Sequence, residues 1–263
     1  MSQVPALTVK GLSKAFGGVQ AVAGVDMEVL AGELVALIGP NGAGKSTCFN
    51  MLNGQLRPDG GSIRLFNQEL VGLPPRDVWR LGVGRTFQIT ATFLSMTVVE
   101  NVQMALLSHH RRLRSLWPFA GSLYLDEALA LLELVGMADQ YARPCSILAY
   151  GDLKKLELAV ALTNNPKLLL MDEPTAGMAP KERTELMELT ARIVKERGIS
   201  VLFTEHDMDV VFTHARRIIV LNRGAVVTQG DPKSVRKNQQ VQDIYLGSGD
   251  VGTASKGRRK KGK

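Results

Sequence analysis

A glycine-rich loop at residues 39–46 carries the residue types that bind a chain of phosphates. It fits the spacing G-x-x-x-x-G-K-[ST]. Glycine permits positive φ, so backbone N–H groups can approach phosphate oxygens without a Cβ clash. Lys45 would reach the β and γ phosphates, and the Ser46 hydroxyl would bind Mg²⁺. The pattern predicts a nucleoside triphosphate site, with a chance glycine turn as the alternative. The loop comprises Gly39, Pro40, Asn41, Gly42, Ala43, Gly44, Lys45 and Ser46.

Charged residues follow two other apolar runs. Asp172 and Glu173 come directly after residues 168–171, and ligands bind at the carboxyl ends of strands in open α/β sheets. Asp172 is therefore expected to meet Mg²⁺ through water, and Glu173 to polarise the attacking water. Capping of the following helix is the structural alternative for this pair. His206 follows the run at 200–203 and would donate a hydrogen bond to the γ-phosphate, although a lone histidine is usually structural.

The elements that must position these groups alternate along the chain. Short apolar runs separated by helical patterns predict an α/β fold with a parallel sheet. A helical pattern covers 97–134, interrupted by a basic stretch that is expected to be a solvated loop, with lipid or partner contact as the alternative. Spacing alone favours a core position for Phe16 over an adenine platform. The predicted strands lie at 7–12, 22–29, 34–38, 62–66, 168–171 and 200–203, with a hairpin at 217–228.

Composition narrows the class of protein. A chain of 263 residues with 45% hydrophobic residues can form one large domain or two joined ones. No apolar run approaches the ~18 residues that would span a bilayer, and no secretory signal is expected. Two cysteines, Cys48 and Cys145, are too few for a disulfide framework and are expected to be buried in a reducing cytoplasm.

The net charge of +7 is concentrated in the last residues. Residues 252–263 hold six basic and no acidic side chains, so the charge without them is +1. The stretch 248–263 is predicted to be disordered, because 252–263 lack large apolar residues. The basic balance is thus no sign of a specific nucleic-acid partner. The tail is either a solvated extension without a role or a weak attachment to anionic lipid.

Taken together, the motifs resemble those of the nucleotide-binding subunit of an ATP-binding cassette (ABC) transporter, over about residues 7–247. The resemblance implies that Phe16 stacks on the adenine of ATP, overriding the core interpretation, and that Gln88 contacts Mg²⁺ and reports nucleotide state to a membrane partner. The motifs in family order are Phe16, the phosphate loop Gly39 to Thr47, Gln88, the signature Leu148, Ala149, Tyr150, Gly151 and Asp152, the pair Asp172 and Glu173, and the switch histidine His206.

The stretches 85–88, 148–151, 205–208 and 244–247 resemble the subgroup that serves branched-chain amino-acid importers. Two other kinds of cassette ATPase remain as alternatives. Lipopolysaccharide exporters share a similar Tyr-Leu-Gly ending, but the extra segment around Trp117 favours import. A soluble nucleic-acid-linked ATPase is disfavoured because the chain has neither a long heptad insertion nor a second cassette.

Three positions depart from the wider family. Ala149 stands where serine is usual, Asp152 where glutamine is frequent, and Ala179 where aspartate or asparagine is common. The usual serine would bond the γ-phosphate held by the opposite subunit, which Ala149 cannot do. Similar alanines occur in the importer subgroup, so the site is not inferred to be inactive.

The resemblance implies a P-loop NTPase (RecA-like) core of residues 1–87 and 161–247 that includes an antiparallel β subdomain. A helical subdomain at 88–160 would carry the signature. It further implies a homodimer or heterodimer with a second ATPase subunit, docked on transmembrane permease subunits at the cytoplasmic face of the inner membrane. A periplasmic binding protein would take part indirectly. The cofactors implied are ATP and Mg²⁺.

Overall fold

The computed structural model describes residues 4–86, 92–110 and 123–246. Gln88, Trp117 and the tail at 248–263 lie outside the described residues. The strands are β1 (Pro5–Phe16), β2 (Val19–Leu30), β3 (Leu34–Ile38), β4 (Gly60–Leu65), β5 (Gln68–Glu69), β6 (Val83–Thr86), β7 (Leu168–Asp172), β8 (Ser200–Thr204), β9 (Arg217–Asn222) and β10 (Ala225–Gly230). The helices are α1 (Lys45–Leu52), α2 (Pro75–Arg80), α3 (Val98–His109), α4 (Leu125–Leu134), α5 (Tyr150–Leu162), α6 (Pro180–Arg197), α7 (Met208–His214), α8 (Pro232–Lys237) and α9 (Gln239–Leu246).

A six-stranded sheet in the order β10–β9–β3–β8–β7–β6 forms the centre of the fold. Its strands are parallel except for β10, which forms a hairpin with β9. Strands β3 and β8 are buried along their whole length, which explains their continuous apolar sequences. The parallel pairing brings the carboxyl ends of β3, β7 and β8 to one edge. The predicted α/β class is confirmed, and the phosphate loop and acidic pair share that edge.

The predicted N-terminal strands belong to a second sheet, with order β2–β1–β4–β5 and antiparallel pairing. Its inward residues, such as Leu7 and Val25, share one apolar cluster with Phe49 of α1 and Leu37 of β3. Helices α3 to α9 build a second cluster with the other face of the central sheet, whereas Val78 of α2 belongs to the first. Cys48 lies in the first cluster and Cys145 in the second, so the prediction that both are buried is confirmed.

Local signals explain where the helices start and stop. Thr97 and Glu100 form a reciprocal capping box at the start of α3. Helix α6 has Pro180 at its first position and Gly198, in the left-handed region, after its last residue. In the described ranges, no helix combines the length and apolar character that crossing a bilayer requires.

Candidate active site

The phosphate loop joins β3 to α1 and needs its glycines for two reasons. Gly39, Gly42 and Gly44 have φ values of 155°, 78° and 102°, where side chains are disfavoured. A Cβ on Gly39 would lie 2.2 Å from the carbonyl oxygen of Leu221, and one on Gly44 would lie 2.5 Å from that of Ala21. Any larger residue would push the loop away from both strands. The resulting loop leads directly into the N-terminus of α1, where backbone N–H groups favour an anion.

The loop is braced by chain segments far away in sequence. The Gly224 N–H donates to the carbonyl of Ala43 at 3.1 Å. The carbonyl of Gly224 in turn accepts from the Ala23 N–H at 2.8 Å. The turn between β9 and β10 therefore supports the phosphate loop and ties it to β2.

Lys45 is buried at the start of α1. Its Nζ donates to the carbonyls of Gly39 at 2.6 Å and Pro40 at 3.2 Å. Burial lowers the pKa of Lys45, while the nearby charges of Glu173 and Asp172 oppose that shift. One ammonium and two carboxylates thus face the same small region, which matches the charges needed around a metal-bound phosphate.

Asp172 is fixed by residues from two neighbouring strands. Its Oδ1 accepts from Thr204 Oγ1 at 2.8 Å, and its Oδ2 accepts from Arg85 Nη2 at 3.2 Å. The other terminal nitrogen of Arg85 donates to Asn50 Oδ1 of α1 at 2.8 Å. The carboxylate is therefore held in one orientation relative to both the phosphate-loop helix and the sheet.

Glu173 adopts a backbone conformation that is unusual for a residue with a side chain, with φ of 48°. Its N–H donates to the carbonyl oxygen of Thr204 at 3.2 Å and to Thr204 Oγ1 at 3.1 Å. Its Oε1 lies 2.9 Å from His206 Nε2. The structure thus brings together two side chains predicted to act on the γ-phosphate. The alternative of helix capping is wrong, because the next helix begins only at Pro180.

A third carboxylate, Glu205, lies beneath this pair and is only 4% exposed. Its Oε1 accepts from Thr175 N at 2.8 Å and Thr175 Oγ1 at 2.6 Å. Its Oε2 accepts from His206 N at 3.1 Å. No role was predicted from the sequence for Glu205, Arg85 or Thr204. The available signal was a carboxylate directly after a buried strand, which is costly unless it has partners.

A cavity of about 280 Å³ is lined by the phosphate loop together with Glu173 and His206. Phe16 is 49% exposed and lies on the cavity wall, so the core position that spacing favoured for it is wrong. The wall offers backbone donors, an ammonium, hydroxyls and one aromatic ring, a set suited to a nucleotide. The lining residues are Phe16, Ala21, Asn41, Gly42, Ala43, Gly44, Lys45, Ser46, Thr47, Glu173 and His206.

The donor set also fits Mg²⁺. Ser46 contributes a hydroxyl to the cavity wall, and Asp172, at the end of β7, is close enough to Lys45 for its charge to influence the pKa of that lysine. Hydroxyl and carboxylate oxygens are the ligands that Mg²⁺ prefers in phosphate sites.

The signature residues lie elsewhere. Ala149 precedes α5 as its N-cap, and Tyr150 is 41% exposed. A Cβ on the buried Gly151 would lie 3.0 Å from Glu182 Oε1. Asp152 forms an ion pair with Lys155 at 3.3 Å. Among the described residues that line the cavity, none belongs to the signature Leu148 to Asp152.

Comparison with known proteins agrees with this geometry. The family model described as ABC transporter matches residues 22–176. The high-affinity branched-chain amino acid transport ATP-binding protein LivG of Escherichia coli is 43% identical over 258 residues, covering 94% of this chain and 99% of LivG. The corresponding protein BraF of Pseudomonas aeruginosa is 40% identical, with 92% and 98% covered.

A solved structure is also similar. The ADP conformation of MJ1267, an ATP-binding cassette of an ABC transporter, superposes with a TM-score of 0.83 at 29% identity. The match covers 92% of this chain and 99% of that one. With the phosphate loop, Glu173 and His206 around one cavity, the chain belongs to the ATP-binding proteins of the ABC transporter family.

Proposed function

We propose that this protein is the ATPase subunit that powers import of branched-chain or related amino acids. The observation that carries the proposal is the convergence of Lys45 and the Glu173–His206 pair on one cavity, with the charge of Asp172 close to Lys45. The import substrate is supported by the similarity to LivG and BraF, ATP-binding proteins of branched-chain amino acid transport that match nearly the whole chain.

Each predicted residue has a place in this proposal. Phe16 stacks on adenine, and residues 39–47 bind the phosphates through backbone N–H groups and Lys45. Mg²⁺, when bound, neutralises charge on the phosphate oxygens. Ser46 and Asp172 would hold the metal, together with Gln88, which lies outside the described residues.

Glu173 and His206 would act on the reacting groups. The Glu173 carboxylate accepts a proton from the attacking water, as expected for a general base. His206 donates a hydrogen bond to the γ-phosphate and, through its 2.9 Å contact, orients Glu173. The left-handed backbone at Glu173 directs this side chain to the cavity rather than into the sheet.

The signature would act on a second subunit. Because residues 148–152 do not line the cavity of their own chain, a head-to-tail homodimer or heterodimer would place them over the opposite ATP. Ala149 has no hydroxyl to offer there, so Gly151 and the N-terminus of α5 would supply N–H donors. The proposed division into a core (1–87, 161–247) and a helical subdomain (88–160) places the phosphate loop and the signature of one chain in different subdomains.

The proposed partners are transmembrane permease subunits, with a periplasmic binding protein acting indirectly. The location would be the cytoplasmic face of the inner membrane. There the basic tail at 248–263 would face anionic lipid, which attracts basic residues by about 1 kcal/mol each near the surface. This attachment would be weak and salt-sensitive.

Transport tests the substrate class. The chain would be purified with two candidate membrane proteins and a candidate binding protein from its own gene neighbourhood, then reconstituted with ATP inside vesicles. We expect uptake of leucine, isoleucine or valine that requires ATP and the binding protein. An ATPase-active complex that moves none of these would contradict the proposal. A gene neighbourhood of lipopolysaccharide-export components would favour the exporter.

Asp172→Asn tests the metal role. The amide would present a donor to either Arg85 or Thr204 and would lose the charge that attracts the cation. We expect the Mg²⁺ concentration for half-maximal ATP binding to rise about 10-fold or more, a typical effect of altering a metal site's support. Asp77→Asn is the matched control, because Asp77 pairs with Arg80 on exposed α2. Unchanged Mg²⁺ dependence of binding would remove Asp172 from the metal site.

A further inference from the structure

Glu205 is the buried carboxylate that contacts both segments of the proposed catalytic pair. One oxygen binds Thr175, two residues after Glu173, and the other binds the backbone of His206. A single side chain therefore fixes the segment carrying the base and the segment carrying the switch histidine.

The segment after Glu173 needs such an anchor. A φ of 48° at a non-glycine residue costs free energy and persists only where the surroundings determine it. Two successive turns follow, with Ala176 N donating to Glu173 O at 3.1 Å and Met178 N to Thr175 O at 3.2 Å. Thr175 lies between these turns and is 1% exposed, so its contact with Glu205 holds the segment from inside.

The histidine segment is anchored from the other side as well. Asp207 caps α7 and pairs with Arg183 of α6. Arg183 Nε also donates to Met178 O at 2.8 Å. Arg183 is half-buried and joins the segment after Glu173 to the segment after His206. Glu205 joins the same two segments, but next to the Glu173–His206 contact.

The chemistry of the three donors requires a carboxylate at position 205. Thr175 N, Thr175 Oγ1 and His206 N all donate, and an ionised carboxylate only accepts. Glutamine has the same shape but would turn an NH₂ group towards one of these donors. The amide would therefore leave at least one backbone N–H, that of Thr175 or that of His206, without an acceptor.

We infer that Glu205 is a positioning residue that sets the distance and orientation between Glu173 and His206. This inference rests on the proposed ATPase mechanism. Glu205 itself is not among the residues that line the cavity in the described part of the chain. It would act on hydrolysis through the other two residues and leave the nucleotide contacts of the phosphate loop unchanged.

Glu205→Gln is the first test, with ATP affinity measured separately from turnover. We expect kcat to fall at least about 10-fold, the scale of one lost hydrogen bond to a charged group. The dissociation constant for ATP should change less than about 2-fold, since the contacts made by the phosphate loop are not altered. Glu33→Gln is the matched control. It removes another buried carboxylate, paired with Arg217, and should lower the melting temperature while leaving kcat unchanged.

A double-mutant cycle with His206→Ala separates positioning from general destabilisation. If Glu205 acts through His206, adding Glu205→Gln to His206→Ala should cause little further loss. Losses that multiply in full would overturn the inference, as would wild-type kcat in Glu205→Gln. Wild-type turnover in both His206→Ala and Glu173→Gln would instead refute the proposed mechanism, so the two failures are distinguishable.

Thr175→Val keeps the inference testable if Glu205→Gln does not fold. Valine removes the hydroxyl donor and retains the backbone N–H, so kcat should fall severalfold with unchanged ATP affinity. The control is Thr190→Val, whose buried hydroxyl donates to Leu186 O of its own helix. Equal kcat in these two variants and the wild type would overturn the inference.

Discussion

Glutamine in place of Glu173 is expected to leave ATP and Mg²⁺ binding intact and to slow hydrolysis at least about 100-fold. The amide can still contact His206 Nε2, which lies 2.9 Å from the present carboxylate, but it cannot accept a proton from water. Since ATP is bound and not consumed, two subunits should remain closed around it. Gel filtration with ATP should show a stable dimer that the wild type forms only transiently.

The control for this variant is Glu185→Gln on α6. Glu185 forms an exposed pair with Lys181, so its loss should leave turnover and elution unchanged. Full turnover in Glu173→Gln would mean that another group is the base. A variant that binds no ATP would instead point to damage at the neighbouring phosphate loop.

Lys45→Ala is expected to abolish ATP hydrolysis and weaken ATP binding about 10- to 100-fold. The loss corresponds to ~1.5–3 kcal/mol for one charge-assisted contact with the triphosphate. Asp172 and Glu173 would also lose the buried cation whose charge now balances them, so repulsion of the phosphates should add to the effect.

Binding of a fluorescent ATP analogue measures this change directly. Lys181→Ala is the control, because that lysine is exposed on α6 and its pairing with Glu185 is at the surface. Wild-type affinity in Lys45→Ala would contradict the assignment of the phosphate loop.

Local sequence was sufficient to predict the phosphate loop and the charged residues at the carboxyl ends of β7 and β8. The phosphate loop has a fixed spacing and glycines whose φ values no other residue adopts readily, so it can be recognised from eight residues. The ends of β7 and β8 were predictable because their buried residues form short apolar runs, with Asp172 at the end of β7 and His206 just after β8.

Non-local contacts explain what spacing missed. Phe16 is the last residue of β1 and pairs with Val19 of β2, and alternation does not reveal that this end of the strand lies on the cavity wall. Arg85 reaches Asp172 only because β6 and β7 pair in parallel. The register of this pair depends on the whole sheet and not on the sequence of either strand alone. Glu205 gains its role from Thr175, 30 positions earlier in the chain.

The brace around the phosphate loop has a consequence for synthesis of the protein. The loop lies near the N-terminus, whereas its support from Leu221 and Gly224 is translated much later. A nascent chain that ends before this turn has the complete phosphate-loop sequence without the hydrogen bond from Gly224 to Ala43. Contacts between distant segments form only when both are available. ATP would therefore stabilise the growing polypeptide only after the β9–β10 turn has left the ribosome, which places nucleotide binding late in maturation.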